Sequence, residues 1–317
     1  MRKRYENLDG VKNSHTIGDM FRWMKERRRK EKEKDLTTTI SHTEKTYAKE
    51  ICENRSVSTY TWIGHASFLL QMNGLNILMD PVYGKRMGFS KRMTEPGLTI
   101  EQLPEIDIVV ISHGHYDHLE FPTLKKLKGT PTFYVPAGMG KLFKRKGFKN
   151  FIEANWWDTL KHEDIEIHFV PAQHWTKRGI FDTNTSHWGG WIFQSSDESY
   201  YFVGDTGYFR GFKEIGERYN IETVFMPIGA YEPEWFMKTS HINPEDAIQA
   251  FKELGSNTFV PMHYGAYRLA DDTGPEALER LINAWNGQGM SNQKLDVLNL
   301  GETRFGVKSV REKQQLK

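Results

Sequence analysis

Short apolar runs, separated by glycine, proline and asparagine, recur along the chain from residue 57 to residue 300. Most of them are rich in valine, isoleucine and aromatic residues, which favour strands. Asn73-Gly74 stands between two such runs and predicts a tight hairpin, because both residues accept a positive φ. The pattern predicts strands at Val57–Ile63, Ser67–Met72, Leu75–Asp80, Ile108–Ile111, Thr132–Val135, Ile165–Val170, Gly190–Gln194, Tyr200–Val203, Thr223–Pro227, Phe259–Met262 and Asp296–Leu300.

Fewer segments show the spacing of apolar positions that an amphipathic helix needs. Asn243-Pro244-Glu245 predicts a helix start, with Asn243 as the N-cap and Pro244 in the first turn, and Gly255 predicts the end of that helix. Further helices are predicted at Phe121–Leu127, Gly140–Arg145 and Leu278–Ala284. Apolar strands inside and helices outside predict an α/β (α+β) fold of four layers, an αββα sandwich.

The composition is that of an ordinary globular protein, with 26% of the 317 residues charged and 38% hydrophobic. Cys52 is the one cysteine, so no intrachain disulfide can form and nothing requires an oxidising compartment. No apolar run approaches the ~18 residues that span a bilayer, and the charged N-terminus lacks the apolar segment of a signal peptide. We therefore expect a cytoplasmic protein.

The formal charge of +2 is unevenly distributed along the chain. Residues 1–50 contain 14 Lys+Arg and 9 Asp+Glu, a net charge of +5, so residues 51–317 carry −3. We predict a basic N-terminal arm and linker over residues 1–50, and a single domain over residues 51–317. Met20, Phe21 and Trp23 beside the arm's basic run are compatible with peripheral contact to an anionic membrane surface, and equally with a solvated helix or a loose arm. The negative body argues against nucleic-acid binding.

Polar residues of the kind that bind metals follow several of the predicted strands directly. Ser112-His113-Gly114-His115-Tyr116-Asp117-His118 comes after Ile108–Ile111, and the others are Asp80, His174, Asp205 and His263. Buried imidazoles and carboxylates each need a partner, and a pair of divalent metals would satisfy both. Loops at strand ends are where α/β folds place their ligand sites. The pattern therefore predicts a metal centre.

These motifs resemble those of the metallo-β-lactamase superfamily, which has His-x-His-x-Asp-His followed by a single His, a single Asp and a final His. The resemblance implies one metal held by His113, His115 and His174, a second held by Asp117, His118 and His263, and Asp205 bridging both. It implies the αββα metallo-β-lactamase sandwich as the fold. His115, where the di-iron variant has Glu, favours two Zn²⁺ per chain. Asp80 matches the family's first motif, and we expect Asp80 and His65 to orient the ligands without binding metal.

A narrower resemblance is to the N-acyl-phosphatidylethanolamine-hydrolysing phospholipase D family. It rests on the segments at 62–67, 112–118, 173–175, 204–208 and 227–238, and on His241 before Asn243-Pro244-Glu245, where the family commonly has Asp at the Asn243 position. The resemblance implies a zinc-dependent phosphodiesterase that acts on such phospholipids through a hydroxide bridging the metals. Its catalytic residues would be Asp117, His241 and Tyr116. The groove for acyl chains would be lined by Tyr231, Trp235, Phe236 and Met237.

Several alternatives remain at the level of the sequence. The same dinuclear site could serve a lactonase, a sugar-phosphate lactonase or a phosphodiesterase for soluble substrates. Tyr116 and the aromatic loop could be packing, and His241 could be a surface histidine beside its helix. A nuclease of the transfer-RNA-processing type is disfavoured by the negative body, and a non-catalytic metal-binding scaffold by the complete set of ligands. An apolar, aromatic surface could also serve a homodimer.

Overall fold

The computed structural model describes residues 3–12, 15–290 and 292–306. Parts of the predicted arm and of the predicted domain, namely residues 1–2, 13–14, 291 and 307–317, lie outside these ranges. The strands are β1 Thr59–Gly64, β2 Ser67–Met72, β3 Leu75–Met79, β4 Arg86–Met87, β5 Ser90–Lys91, β6 Ile108–Val110, β7 Thr132–Pro136, β8 Phe151–Ala154, β9 Thr159–His162, β10 Ile165–Val170, β11 Gly190–Gln194, β12 Ser199–Phe202, β13 Thr223–Pro227, β14 Thr258–Met262, β15 Lys294–Leu295 and β16 Thr303–Phe305.

The helices have from four to 14 residues and lie mostly outside the sheets. They are α1 Ile17–Lys30, α2 Ala48–Glu53, α3 Phe121–Leu124, α4 Gly140–Arg145, α5 Gly211–Arg218, α6 Glu234–Met237, α7 Pro244–Leu254 and α8 Gly274–Asn286. Asn243 caps α7 as predicted, since its side chain accepts a hydrogen bond from the Asp246 N–H and Pro244 opens the helix. Gly255 ends α7 with φ +66°, a conformation that glycine adopts at little cost.

Two seven-stranded sheets form the body, in the orders β16-β1-β2-β3-β6-β7-β8 and β15-β14-β13-β12-β11-β10-β9. In both sheets one part is antiparallel and the other is parallel. The parallel set β3-β6-β7-β8 lies in the first sheet and the set β12-β13-β14-β15 in the second. Parallel neighbours end at the same edge of a sheet, so the loops that follow these strands are brought close together.

Alternation along the strands separates two apolar cores. In β2, Phe68 and Leu70 face the core between the sheets, where Phe225 and Trp191 of the second sheet also lie. Leu69, between them, faces a second core with Phe121 of α3 and Phe143 of α4. The period-two reversal of side chains makes β2 apolar on both faces, as expected for a strand covered on both sides. The four-layered αββα sandwich is confirmed.

One predicted strand is absent, and the edge strands of the two sheets were missed. Asp296–Leu300 is not a strand; the chain instead forms β15 before it and β16 after it. Within that segment the Asp296 side chain accepts hydrogen bonds from Tyr60 and Arg304, and backbone bonds at its two ends, from Asp296 to Phe259 and from Leu300 to Ser41, tie it to neighbouring chain. Strands β8 and β9 were not predicted, because both lie at sheet edges and leave part of their side chains exposed, which blurs the apolar pattern.

The basic arm contains a helix that packs against the body. Thr16 caps α1 through a reciprocal pair of hydrogen bonds with Asp19. Trp23 of α1 donates its indole N–H to Asp271 at 2.9 Å, and Lys34 bridges Glu232 and Glu276 at 2.8 and 2.7 Å. These contacts fasten the arm to the second half of the chain. Where the arm ends and the domain begins stays a prediction.

Candidate metal centre

Five strand ends bring the candidate residues together. Asp80 follows β3, the segment Ser112–His118 follows β6, His174 lies beyond β10, Asp205 beyond β12 and His263 directly after β14. Asp80, His263 and nearby His65 have positive φ values of 39°, 62° and 56°, which non-glycine residues adopt rarely. Sharp turns at these points direct the side chains back towards a common centre. Such conformations cluster at functional sites.

The first cluster, here the three-histidine group, consists of His113, His115 and His174. Nδ1 of His115 lies 2.9 Å from Nε2 of His113 and 3.1 Å from Nε2 of His174. Burial lowers the pKa of all three imidazoles, to about 4 for His115, and the neighbouring imidazoles lower that of His113 further. At neutral pH the group therefore presents uncharged ring nitrogens that face one another. Unprotonated nitrogens at this spacing suit a cation such as Zn²⁺.

The second cluster, here the carboxylate–histidine group, consists of Asp117, His118 and His263. Nε2 of His118 and Nε2 of His263 each lie 3.5 Å from Oδ2 of Asp117. His65 adjoins the group, with its Nε2 3.1 Å from the same oxygen. All four could contribute one atom each to a metal, because those atoms lie within 4.8 Å of one another.

Asp205 lies between the two groups and faces both. Its Oδ1 is 3.2 Å from Nε2 of His118 and 3.1 Å from Nε2 of His263. Its Oδ2 is 3.9 Å from Nε2 of His113 and 3.9 Å from Nε2 of His174. One carboxylate thus offers an oxygen to each group, as the bridging role requires.

The carboxylates and imidazoles at the centre shift one another's pKa values. Burial by itself would raise the pKa of Asp117 and Asp205, but the His118 imidazole beside both holds these pKa values well below the usual range. Burial would likewise lower the pKa of His263, but Asp205 outweighs it and raises that pKa to about 9. The carboxylates are therefore ionised and attract positive charge to the carboxylate–histidine group.

Unsatisfied atoms test whether metals fit this centre. Among the described residues, Nε2 of His118, Nε2 of His263 and Oδ1 of Asp205 are buried and have no hydrogen-bond partner. Buried polar atoms without a partner are costly, and all three of these face one another at the centre. The donor set fits divalent metal.

Other atoms hold the histidines in orientation. Nδ1 of His118 lies 2.6 Å from Oδ2 of Asp80, and the other oxygen of Asp80 accepts the Ser112 N–H at 2.7 Å. Nδ1 of His174 lies 2.9 Å from the Ser240 carbonyl oxygen. An imidazole that donates from Nδ1 leaves Nε2 free for a metal. Asp80 thus occupies the place expected of a group that orients a ligand.

Sequence reasoning missed two residues that brace the centre. Asn7, in the arm, donates to the His174 carbonyl at 2.9 Å and accepts the His174 N–H at 3.0 Å. Arg178 donates from Nη1 to the carbonyl oxygens of Gly114, His115 and Leu119 at 2.9, 3.2 and 2.9 Å. Neither residue lies in a motif or a periodic pattern. The nearest available signal was the position of Arg178 four residues after His174.

Of the two side chains predicted to act on the substrate, His241 lies at the centre and Tyr116 lies at the surface. Nδ1 of His241 is 3.9 Å from Oδ2 of Asp205. Tyr116 is 54% exposed and donates its hydroxyl hydrogen to the Arg178 carbonyl at 2.9 Å, while the Arg178 guanidinium stacks on its ring. That arrangement is a packing contact, so a catalytic role for Tyr116 stays a prediction.

The arm covers the aromatic loop predicted to bind acyl chains. Phe236 stacks between His15 and Trp23, with ring centroids 3.8 and 4.9 Å away. Trp235 donates its indole N–H to Glu26 at 2.9 Å and lies under the Arg22 guanidinium. Tyr231 is buried beneath Arg280, and Met237 is half-buried in α6. The loop and the arm therefore form one surface next to His241.

Comparison with known proteins agrees with this fold. Residues 75–264 match the family model described as the beta-lactamase superfamily domain. A metallo hydrolase from Ignicoccus hospitalis superimposes with a TM-score of 0.61 at 25% identity, over 79% of this chain and 99% of that one. The chain belongs to the metallo-β-lactamase superfamily of metal-dependent hydrolases.

Particular relatives narrow the resemblance. The chain is 36% identical over 228 residues to N-acyl-phosphatidylethanolamine-hydrolyzing phospholipase D 1 of Caenorhabditis elegans, which covers 66% of this chain and 64% of that protein. It is 34% identical over 244 residues to the mitochondrial enzyme of the same name from Saccharomyces cerevisiae, covering 72% and 52%. A metal-dependent hydrolase of Methanopyrus kandleri is 29% identical, covering 70% and 90%. The chain thus spans between half and two-thirds of the length of the two phospholipases.

Proposed function

We propose that the protein is a zinc-dependent phosphodiesterase of the phospholipase D type, acting on N-acyl-phosphatidylethanolamine-like phospholipids. The observation that carries the proposal is the pair of donor groups joined by Asp205, in a chain similar to two phospholipases of that specificity. The reaction adds water across the bond between phosphorus and the oxygen of the N-acylethanolamine. The products are an N-acylethanolamine and a phosphatidic acid.

Two Zn²⁺ ions fit the donor set. His113, His115 and His174 would hold one, Asp117, His118 and His263 the other, and Asp205 both. Bound there, the ions would lower the pKa of a water and neutralise negative charge on phosphoryl oxygens. The chain's own contribution is to direct Nε2 of His118 and of His174 towards the centre, through Asp80 and the Ser240 carbonyl, and to keep both carboxylates ionised.

His241 is the proposed group for the substrate phosphate or the leaving alkoxide. Burial lowers its pKa to about 4, so the imidazole is neutral at pH 7. A neutral imidazole donates one hydrogen bond and accepts another, which suits it to bind a phosphoryl oxygen or to relay a proton. Its position is set by α6, because the His241 N–H donates to the Met237 carbonyl at 2.9 Å.

We also propose that the arm contacts the membrane that contains the substrate. Ile17, Met20, Phe21 and Met24 of α1 are exposed, and Arg28 and Arg29 follow them. A helix that combines exposed apolar side chains with basic ones is suited to lie at an anionic lipid surface. Within the described ranges, no helix has both the length and the apolarity needed to cross a bilayer. A homodimer through this apolar surface stays a prediction.

Product analysis by mass spectrometry tests the function. The full chain, loaded with zinc, is incubated with N-acyl-phosphatidylethanolamine in detergent micelles, beside a chromogenic soluble phosphodiester and a lactone. We expect N-acylethanolamine and phosphatidic acid from the phospholipid, and a loss of roughly a thousandfold in Asp117→Asn. Asp164→Asn, an exposed carboxylate, is the matched control. Turnover of the lactone or the soluble diester alone would contradict the proposed substrate. An active Asp117→Asn variant would contradict the proposed mechanism.

A further inference from the structure

A second surface beside the metal centre combines basic and apolar side chains. It is a groove of about 810 Å³ between α4 and the turn at residues 178–182, and Tyr116 of the metal-binding loop forms part of its wall. Its apolar wall includes Phe121, Met139 and Leu142. This surface, here the α4 face, is separate from the aromatic loop that the arm covers, since none of the aromatic-loop residues lines the groove.

Positive charge on the α4 face is left without acidic partners. Lys3, Lys141, Arg145 and Lys146 line the groove, and among the described residues no carboxylate lies within 4.0 Å of any of them. The two acids of the groove are already engaged. Glu153 accepts the N–H groups of Gly138 and Gly140 at 2.6 and 2.9 Å, and Asp182 accepts those of Arg178 and Gly179 at 3.2 and 2.7 Å. The four cations are therefore available to an external anion.

Two large apolar side chains project next to these cations. Ile180 and Phe181 are 80% and 82% exposed at the tip of the turn. The turn is well braced, because Asp182 binds the N–H groups that precede the tip and its carbonyl accepts the Thr185 N–H at 3.1 Å. Exposed apolar side chains that a rigid turn holds in solvent mark a contact site.

We propose that the α4 face docks on an anionic phospholipid bilayer, with Ile180 and Phe181 entering the interface and Lys3, Lys141, Arg145 and Lys146 meeting lipid phosphates. A small soluble anion would be recognised by donors that converge on one point. These cations are instead exposed and spread around a groove, an arrangement that complements a plane of head groups. Exposed apolar tips gain free energy only when an apolar phase covers them. A bilayer supplies both the charge and the apolar phase.

This docking places the bilayer beside the metal-binding loop and rests on the proposed function for its biological meaning. Tyr116 belongs both to the groove and to the loop that carries His115 and Asp117. A phospholipid held at this face would lie next to the metal centre. The docking would then add a second lipid contact to the one proposed for α1.

Vesicle sedimentation with the full chain tests the inference. The vesicles are phosphatidylcholine alone and phosphatidylcholine with about one-third phosphatidylglycerol. The variants are Ile180→Ser/Phe181→Ser and Lys141→Glu/Arg145→Glu, with Lys161→Glu/Lys213→Glu as a control that changes the net charge by the same −4 at exposed positions outside the groove. We expect wild type and control to bind the anionic vesicles, and each test variant to bind them about tenfold more weakly or less.

Three outcomes would overturn the inference. They are unchanged binding in both test variants, a loss confined to Phe21→Ser/Met24→Ser in α1, and displacement by millimolar glycerol phosphate, which would indicate a soluble ligand. Thermal unfolding and metal content of the variants, expected to equal those of wild type, show that they fold. The micelle assay separates the two proposals. Turnover in micelles without vesicle binding would contradict only the proposed docking. Vesicle binding without phospholipid turnover would contradict only the proposed function.

Discussion

At the scale of single residues, Arg178 connects the two loops that carry the three-histidine group. It comes shortly after His174 and donates to three carbonyl oxygens of the loop that carries His113 and His115. Its guanidinium also stacks on Tyr116 at 4.0 Å. A side chain that fixes the backbone of ligand-bearing loops sets the positions of their nitrogens.

Replacing Arg178 by methionine is therefore expected to weaken metal binding. The variant keeps an unbranched apolar stem but leaves the carbonyls of Gly114, His115 and Leu119 without their donor. We expect the affinity for Zn²⁺ to fall by roughly 10- to 100-fold, measured by competition with a chromophoric chelator. Lys177→Met, the same change at the neighbouring exposed cation, should leave the affinity unchanged. Equal affinities in both variants would show that Arg178 does not position the ligands.

His187 gives a residue-scale prediction about pH. It is buried, stacking on Tyr5 and Trp156, and burial lowers its pKa to about 3, with Lys3 adding to the effect. The unfolded chain takes up a proton here as the pH falls through about 6.5, whereas the folded chain does not. Stability is therefore lost as the pH falls below that value, by about 2 kcal/mol at pH 5 for this residue.

The variant His187→Phe should remove that loss while it keeps the stacked ring. We expect its unfolding free energy, measured with urea between pH 6.5 and pH 5, to fall less steeply with pH than that of wild type. The difference in slope should correspond to about one fewer proton taken up on unfolding. Contributions from the other buried histidines are common to both proteins and cancel in the difference. Parallel pH profiles would mean that His187 is protonated in the folded state.

At the scale of elements, several residues of α1 contact the body, and Trp23 makes two of these contacts. Trp23 reaches both Asp271 and the ring of Phe236, while Met24, next in sequence, points to solvent. Trp23→Ala should release α1, so that trypsin cleaves the arm's basic segment about tenfold faster or more, as expected when ~1.4 kcal/mol or more of local stability is lost. Met24→Ala should be cleaved at the wild-type rate. Equal rates in both variants would contradict a docked helix.

Local patterns predict strands best where burial is complete. Strands β2, β3 and β13 could be predicted from the sequence, because every residue in them is buried and most are apolar. The edge strands β8 and β9 could not, because half-exposed side chains carry little periodic signal. The segment Asp296–Leu300 shows the opposite error, because its apolar residues predict a strand where none forms. Its first residue, Asp296, instead accepts side-chain hydrogen bonds from Tyr60 and Arg304.

Only part of the candidate centre could be predicted from the sequence. His113, Asp205 and His263 each follow a strand, so their convergence follows from parallel strands ending at one edge. Asn7 is brought to His174 from 167 residues away, by the fold and not by any local pattern. The position of the arm over Trp235 and Phe236 likewise depends on tertiary contacts. Residues that brace a site from a distance leave no mark in local sequence.

At the scale of the whole molecule, the metal centre joins elements that the chain order keeps apart. The three-histidine group takes residues from both sheets, and Asp205 of the second sheet faces His113 and His118 of the first through the shared centre. Without metal, buried nitrogens and a carboxylate oxygen have no partner in the described structure. Metal is therefore expected to act as a cross-link between the halves of the sandwich.

Removing metal should consequently lower the melting temperature of the entire protein. Two ions, each present at about a thousand times its dissociation constant, would contribute about 8 kcal/mol. With an unfolding entropy of about 2 cal/mol/K per residue, that loss lowers Tm by roughly 10 °C. Scanning calorimetry before and after chelation, with elemental analysis of both samples, measures the shift. Asp205→Ala, which lacks the carboxylate common to both groups, should shift by less than half as much. An unchanged Tm in wild-type protein that has demonstrably lost its metal would mean that the two halves pack without any metal link.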